Sequence, residues 1–264
     1  MEAVILTTKR GYVLPQLRIQ GVDVTIKENI TYLGVELHRV LGFGAHIKTA
    51  SATALALSRI LPNIGGSGQK KRKLLSTVVT SKLLYASPLW VGALDVKRNV
   101  EELQRPQRVM AIRIIRAYRT ISTAAAMVIA GLVPAHLLAW ERSERHRRKS
   151  EEDQERVKDV IREEVIHKWQ QEWNREPNGQ WTRSLIKDLS AWVNRKHGTV
   201  DFHTTQMLSS HGCFGKYLWR FKKLDNPRCI DCGEPTDDVE HVMFRCGRWE
   251  RDRRALEVVR ICVF

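Results

Sequence analysis

Four residues near the C-terminal end carry the sharpest chemical signal in this sequence: Cys229, Cys232, His241 and Cys246. Their spacing is Cys-x2-Cys-x8-His-x4-Cys. Two cysteines set two residues apart can bind one metal from the two sides of a tight turn, here Ile230-Asp231 followed by Gly233. His241 and Cys246 stand where one helical turn can return two more donors to the same point. Three thiolates and one imidazole close a tetrahedral shell, which suits structural Zn2+ and leaves no open position for a catalytic water. The spacer between Cys232 and His241 is longer than in the retroviral zinc knuckle, so packaging-type recognition of RNA does not follow. The remaining cysteines, Cys213 and Cys262, fit no ligand pattern and are expected in the core.

The acids around this motif, Asp231, Glu234, Asp237, Asp238 and Glu240, argue against phosphate binding by its own loop. Its flanks are different. His211, Lys216, Tyr217, Trp219, Arg220, Lys222 and Lys223 precede it, and Arg248, Trp249, Arg251, Arg253 and Arg254 follow. Cations interleaved with aromatics can pair with phosphates and stack on bases.

The whole chain points the same way. Its 264 residues hold 44 Lys+Arg against 29 Asp+Glu, a net charge of +15. Residues 1–150 contain 24 basic and 9 acidic side chains, whereas residues 151–264 contain 20 of each. Such asymmetry favours a polyanionic partner, nucleic acid before membrane, because no Lys-rich amphipathic anchor or lipidation signal accompanies it. No apolar stretch approaches the ~18 residues of a transmembrane helix. The start, Met1-Glu2-Ala3-Val4-Ile5-Leu6, lacks the basic opening of a signal peptide, so an intracellular location with reduced cysteines is expected.

The remaining cationic candidates are Lys70, Lys71, Arg72 and Lys73, then Arg113 and Arg116, then Arg142, Arg145, Arg147 and Arg148. The first group reads either as a solvated helix start or as a phosphate contact; four cations there oppose the helix dipole and so hint at an external anion. The last group is diluted by Glu141 and Glu144 and can equally be a solvated face. Gly65-Gly66-Ser67-Gly68-Gln69-Lys70 mimics a phosphate loop but lacks its spacing and follows a helix. Adjacent carboxylates such as Glu101-Glu102 and Glu151-Glu152 do not face one site on a helix. No catalytic residues are assigned.

These side chains must be held by a mostly α-helical fold with a small β remnant at the N-terminus. Ala3–Thr7, Leu17–Val24 and Ile30–Leu37 read as strands without a layer to cover them, like the edge of a larger sheet. From Gly44 the apolar period becomes helical, with Ile47, Ala50, Ala54, Leu57 and Leu61 on one face. Helices are predicted next from about Lys70 to Tyr85 and from Val96 to Tyr118, the latter kinked at Pro106. Ser122 should cap an Ala-rich helix that stops at Gly131. A single long helix is then expected from Pro134 through the basic run and the acidic stretch after it, and another over Trp181–Arg195.

Several segments in fixed order suggest a family. They are Glu2-Ala3-Val4-Ile5-Leu6-Thr7, Tyr32-Leu33-Gly34-Val35-Glu36-Leu37, Leu57-Ser58-Arg59-Ile60-Leu61-Pro62-Asn63-Ile64-Gly65-Gly66 and Leu84-Tyr85-Ala86-Ser87-Pro88-Leu89-Trp90. Ala117-Tyr118-Arg119-Thr120-Ile121-Ser122-Thr123-Ala124-Ala125, Gly212-Cys213-Phe214-Gly215-Lys216-Tyr217-Leu218 and the Cys-Cys-His-Cys motif complete the set. Together they resemble the C-terminal end of the Pol-like polyprotein (reverse transcriptase/endonuclease) of arthropod non-LTR retrotransposons, above all the type-1 elements that insert into ribosomal RNA genes.

The resemblance implies three regions. Residues 1–41 would end the reverse transcriptase palm, with Tyr32-Leu33-Gly34 in the primer grip. Residues 42–118 would form a basic helical thumb on the template–primer duplex. Residues 119–264 would form an endonuclease-associated nucleic-acid-binding region with its zinc knuckle at 229–246. The family's Mg2+-binding Tyr/Phe-x-Asp-Asp would lie before Met1, so a fragment is expected whose partners are RNA, DNA and the rest of the polyprotein, in the nucleus at the site of integration. The alternative is a free-standing, non-enzymatic zinc-knuckle protein that binds nucleic acid; a protein–protein adaptor is a third reading.

Overall fold

The computed structural model describes residues 2–7, 9, 11–32, 34–39, 44–151 and 153–261. Residues 40–43, where the first domain boundary was expected, and Leu33 and Cys262 lie outside them. Among the described residues, six short strands precede twelve α-helices. The strands are β1 (Glu2–Val4), β2 (Arg18–Ile19), β3 (Val22–Asp23), β4 (Thr25–Lys27), β5 (Asn29–Tyr32) and β6 (Val35–His38). They form three separate pairs: parallel β1–β4 and antiparallel β2–β3 and β5–β6. Of their apolar side chains that are described, Val24 at the β3–β4 junction is buried, whereas Ile19, Val22 and Tyr32 face solvent. Pairs this small bury too little apolar surface to stand alone.

The helices follow as α1 (Gly44–Arg59), α2 (Gln69–Leu83), α3 (Ser87–Trp90), α4 (Lys97–Ile115), α5 (Thr123–Ala130) and α6 (Ala135–Arg147). Then come α7 (Gln154–Arg175), α8 (Gln180–Leu185), α9 (Leu189–Asn194), α10 (Phe202–Ser209), α11 (Gly215–Arg220) and α12 (Glu250–Ile261). Among the described residues no single helix is long and apolar enough to cross a membrane. The expected cap is present: the Ser122 hydroxyl accepts from the Ala125 N–H at 3.2 Å, and Gly131 closes α5 in the left-handed region at φ +61°. α4 runs through Pro106 unbroken and ends when Arg116 turns left-handed, three residues short of expectation.

Two predicted long helices are each divided. The one expected from Pro134 onward stops at Arg147, and α7 begins afresh because the Asp153 carboxylate accepts from the Arg156 N–H at 3.0 Å. Between them the Gln154 amide donates to the carbonyls of Arg148, Lys149 and Glu151, which satisfies groups that a continuous helix would have paired itself. In the same way Asp188 caps α9 and cuts the segment 181–195 in two. The intervening Ile186 is buried, and its carbonyl accepts from the Trp173 indole at 3.0 Å.

The helices enclose two apolar clusters. One joins Ala50 and Ala54 of α1, Val79 and Leu83 of α2, Trp90, and Leu103 and Met110 of α4. The other joins Ile114 and Ile115 of α4 to α5, Val165, Trp169 and Trp173 of α7, and Leu208 of α10. α4 therefore serves both, and Leu138 of α6 packs against each. Gln107 is the polar exception in the middle of α4. Its amide donates to the Val133 carbonyl at 2.7 Å, and its oxygen accepts from the Ala135 N–H at 2.8 Å, which fixes the α5–α6 turn. Gln107→Leu should leave both backbone groups buried and unpaired, at a cost of about 2 kcal/mol in urea-induced unfolding. A change under about 0.5 kcal/mol, as on an indifferent surface, would show that the turn holds without it.

Candidate metal centre and nucleic-acid interface

The four predicted ligands come together. Their donor atoms all lie within 4.8 Å of one another, and the cluster could hold a metal ion such as zinc. The Cys229 and Cys246 sulfurs are 3.9 Å apart, close to the ~3.8 Å expected for two bonds of about 2.3 Å at a tetrahedral angle. The Cys232 sulfur stands 3.3 Å from Nε2 of His241. Cys229, Cys246 and His241 are buried, while Cys232 closes the outer side. Nδ1 of His241 is also buried and has no hydrogen-bond partner among the described residues. A set of three soft sulfurs and one imidazole nitrogen, almost in mutual contact, fits one tetrahedral ion. Burial would raise the Cys229 thiol, but the N–H groups of Cys232 and Asp231, with His241 and Cys232 adding to them, bring it down to about 7.

Backbone geometry explains the convergence. Cys229 accepts from the Gly233 N–H at 3.0 Å and donates its own N–H to the Glu234 carbonyl at 2.9 Å, with Gly233 at φ +76° completing the turn. On the other side, the Asp238 carboxylate accepts from the His241 N–H at 3.0 Å and starts the single helical turn His241–Arg245. The Cys246 N–H returns to the His241 carbonyl at 2.8 Å. Asp237 meanwhile accepts from the Gly215 N–H at 2.7 Å and ties the unit to α11. Asp231 grips Arg248 through both carboxylate oxygens. Three of the acids near the motif are thus structural; the Asp238-x-x-His241 spacing was a capping signal in the sequence that reading for charge alone passed over. Cys213, expected in the core, is exposed, with its sulfur 4.0 Å from the Tyr118 hydroxyl.

The structure sorts the predicted cations into three kinds. Arg72 is fully buried. Its guanidinium donates to the carbonyls of Ser67 and Arg113 at 2.6 Å, Pro62 at 2.7 Å and Gly65 at 3.0 Å, so it is not available to a phosphate. This is a correction to the sequence reading, and its cause is that the loop 62–67 folds back over the first turn of α2. Arg145, Arg147 and Arg148 are each matched by a carboxylate, Glu141, Glu144 and Glu151 in turn. Arg142 has no ion pair among the described residues and donates to the Leu84 carbonyl at 2.8 Å, away from the α2–α4 junction. Lys216 pairs with Asp238 at 3.3 Å.

The third kind has no carboxylate partner among the described residues. Lys70 and Lys71 stand exposed on the first turn of α2. Lys73 lies beside them, with burial and then Arg195 holding its pKa down. Arg113 donates to the Asn63 side chain at 2.7 Å, and Arg116 to the Ser67 carbonyl at 3.1 Å, both neutral acceptors that leave the charge in place. The end of α4 and the start of α2 thereby bring four uncompensated cations, Lys70, Lys71, Arg113 and Arg116, to one junction, while the Lys73 ammonium lies at Gly131, at the end of α5. Arg220, Lys222 and Lys223 form a smaller exposed group on and after α11, next to half-exposed Trp219 and Phe221. Arg220 sits 5.8 Å from the Phe221 ring centre. Tyr217 links this group to the connection between α4 and α5 through the ring of Tyr118 at 5.9 Å, and its ring lies 5.2 Å from that of His211, which precedes α11.

Comparison with known proteins gives one consistent kind of relative. The chain is 28% identical over 267 residues to a retrovirus-related Pol polyprotein from type-1 retrotransposable element R1 4 of Nasonia vitripennis, covering 91% of this chain and 66% of that protein. A second Nasonia vitripennis Pol polyprotein, from element R1 2, is 24% identical over 88% of this chain and 62% of its own length. A putative 115 kDa protein in type-1 retrotransposable element R1DM of Drosophila melanogaster is 24% identical over 94% of this chain, which spans 26% of it. The chain thus spans less than two thirds of each of these relatives. No family model and no solved structure matches it.

Proposed function

We propose that this chain is the C-terminal, nucleic-acid-binding part of the Pol polyprotein of a type-1 non-LTR retrotransposable element. Similarity to such polyproteins over about nine tenths of the chain supports the family context. The observation that carries the binding role is the group of four cations, Lys70, Lys71, Arg113 and Arg116, at the α2–α4 junction without carboxylate partners among the described residues, on a chain whose excess positive charge lies before residue 151. In this reading residues 42–118 act as a thumb that follows the template–primer backbone, and residues 1–41 supply the end of the palm. Residues 119–264 place a further stretch of RNA or target DNA. The whole polyprotein is then an RNA-directed DNA polymerase with an endonuclease, working in the nucleus. The Mg2+ ligands of the polymerase come from elsewhere in it.

Zinc, in this reading, is structural. Cys229, Cys232, His241 and Cys246 hold it and lock the turn that carries Arg248 and Trp249 against α11. The metal supplies folding energy and no reaction step.

Binding through phosphates releases counterions, so affinity should fall with salt at a logarithmic slope of about 0.9 per phosphate contacted on a duplex. Titration of an RNA–DNA hybrid by fluorescence anisotropy should give a slope of several units for the wild-type chain. Arg147→Gln, on the paired face of α6, should leave that slope unchanged. An affinity insensitive to salt would remove the phosphate-tracking role.

A further inference from the structure

A cleft of about 670 Å3 separates α4 and α5 from the C-terminal half of α7 and from α11, and none of the residues above that serve the metal centre line it. Its volume falls in the range of about 300–1,000 Å3 typical of pockets that enclose small organic ligands. Its two sides differ in chemistry.

One side is cationic and rich in donors. Arg108 reaches across from α4, its guanidinium donating to the Thr123 hydroxyl at 3.2 Å and the Arg119 carbonyl at 2.8 Å. It makes no ion pair among the described residues, and burial holds its pKa down. The first turn of α5 faces the same space. Ser122 occupies the N–H groups of Ala125 and Ala126, which leaves those of Thr123 and Ala124 without an intrahelical partner. Arg220 of α11 approaches from the rim, close enough to His211 to depress its pKa after burial has done so.

The other side is acidic. Glu172 of α7 is held by His136 at 2.9 Å, and Glu176 by the backbone and side chain of Asn178 at 3.2 and 3.1 Å. The buried rings of Trp169 and Trp173 form the floor between the two sides. A ligand that offers an anion to the cations and N–H donors to the carboxylates matches this lining. An unpaired nucleotide does both, since every nucleobase carries at least one N–H on its pairing edge, and a base-paired one has those donors already engaged.

We propose that the cleft seats a single unpaired nucleotide of an RNA or DNA strand, phosphate toward Arg108, Arg220 and the start of α5, base edge toward Glu172 and Glu176. This rests on the nucleic-acid-binding reading above and adds to it a site selective for single strands, separate from the cation group at the α2–α4 junction.

The test uses the full, zinc-loaded chain and a 4-thiouridine-containing single-stranded RNA, cross-linked and mapped by peptide mass spectrometry. Cross-links are expected in peptides carrying Ser122–Ala125 or Glu172–Gly179. Arg220→Ala, an exposed change that leaves both apolar clusters untouched, should weaken single-strand binding about tenfold, one charge-assisted contact, with duplex binding unaltered. Arg108→Lys should do the same for the inner end. Cross-links confined to residues 219–223, or equal losses for single strand and duplex, would overturn the cleft assignment. Displacement of the cleft cross-link by a free nucleoside monophosphate at the same nucleotide concentration would overturn the strand as its source. A wild-type chain that binds neither RNA nor DNA would end the broader reading as well, whereas strong binding without a cleft cross-link ends only this one.

Discussion

Cys232→Ser is expected to reduce bound zinc from about one ion per chain to none and to unfold the segment around it. A serine hydroxyl stays protonated where a thiolate would bind, so the tetrahedral shell loses a ligand and its charge balance. Within residues 229–246 the buried side chains are the ligands Cys229, His241 and Cys246 with Val239 beside them, and none of these belongs to either helical cluster. Structural zinc in isolated finger peptides contributes about 10–16 kcal/mol of apparent binding energy, far more than the backbone hydrogen bonds of the turns could replace. Amide hydrogen exchange should therefore accelerate at Cys229, His241 and Cys246 and remain slow in α4, α5 and α7. Chelation of the wild-type chain should produce the same pattern. A Cys232→Ser chain that keeps its zinc, or a wild-type chain purified in reductant with none, would show that the four donors converge for another reason.

The second large effect belongs to Arg72. Four carbonyls, those of Pro62, Gly65, Ser67 and Arg113, accept from one guanidinium, only that of Ser67 has a second donor in Arg116, and no carboxylate among the described residues offsets the charge. Burial lowers its pKa, and Arg116 and Arg113 lower it further, yet the fork of donors keeps it protonated in place. Arg72→Met removes a fully buried charge and takes the donor from the Pro62, Gly65 and Arg113 carbonyls, which unties the loop from α2 and the end of α4. The expected cost is about 4 kcal/mol, or a fall in Tm of about 10 °C. Arg72→Lys should recover only part of it, because a single ammonium has three donors at one point and cannot span the loop. Melting temperatures of the three chains measure this directly. A loss below about 1 kcal/mol for Arg72→Met, the size of an ordinary substitution, would mean that water reaches the loop and substitutes for the arginine.

These two residues mark what the sequence could and could not disclose. The metal motif is legible because its geometry is local: a two-residue gap, a glycine after the second cysteine and one helical turn between His241 and Cys246 dictate where the donors meet. Ser122 and Gly131 are legible for the same reason, since a cap and a left-handed stop act within one turn of the helix they bound. Arg72 looks like its neighbours Lys70, Lys71 and Lys73 because nothing adjacent to it in sequence reports that Arg113 will lie against it. The paired arginines of α6 were half legible: Glu141 and Glu144 stand three or four positions away on the same helix, but Glu141 also binds Arg162 of α7 at 3.1 Å, a contact from another element. Asp153 and Asp188 were hidden in acidic or mixed stretches where a helix-capping carboxylate resembles a solvated one. The cleft could not be read at all, since its lining is gathered from several helices, α4, α5, α7 and α11 among them, and none carries a motif.

Nucleic acid is proposed to lie on the unpaired cations at the α2–α4 junction. The most direct measurement is the affinity of the zinc-loaded chain for an RNA–DNA hybrid at a series of salt concentrations, for the wild type and for a Lys70→Glu/Lys71→Glu double variant. Both lysines are exposed and neither touches the apolar clusters, so the fold should be preserved. Losing two phosphate contacts should weaken binding and lower the logarithmic salt slope by about 2. An unchanged slope and affinity in a folded variant would place the nucleic acid elsewhere and contradict the account.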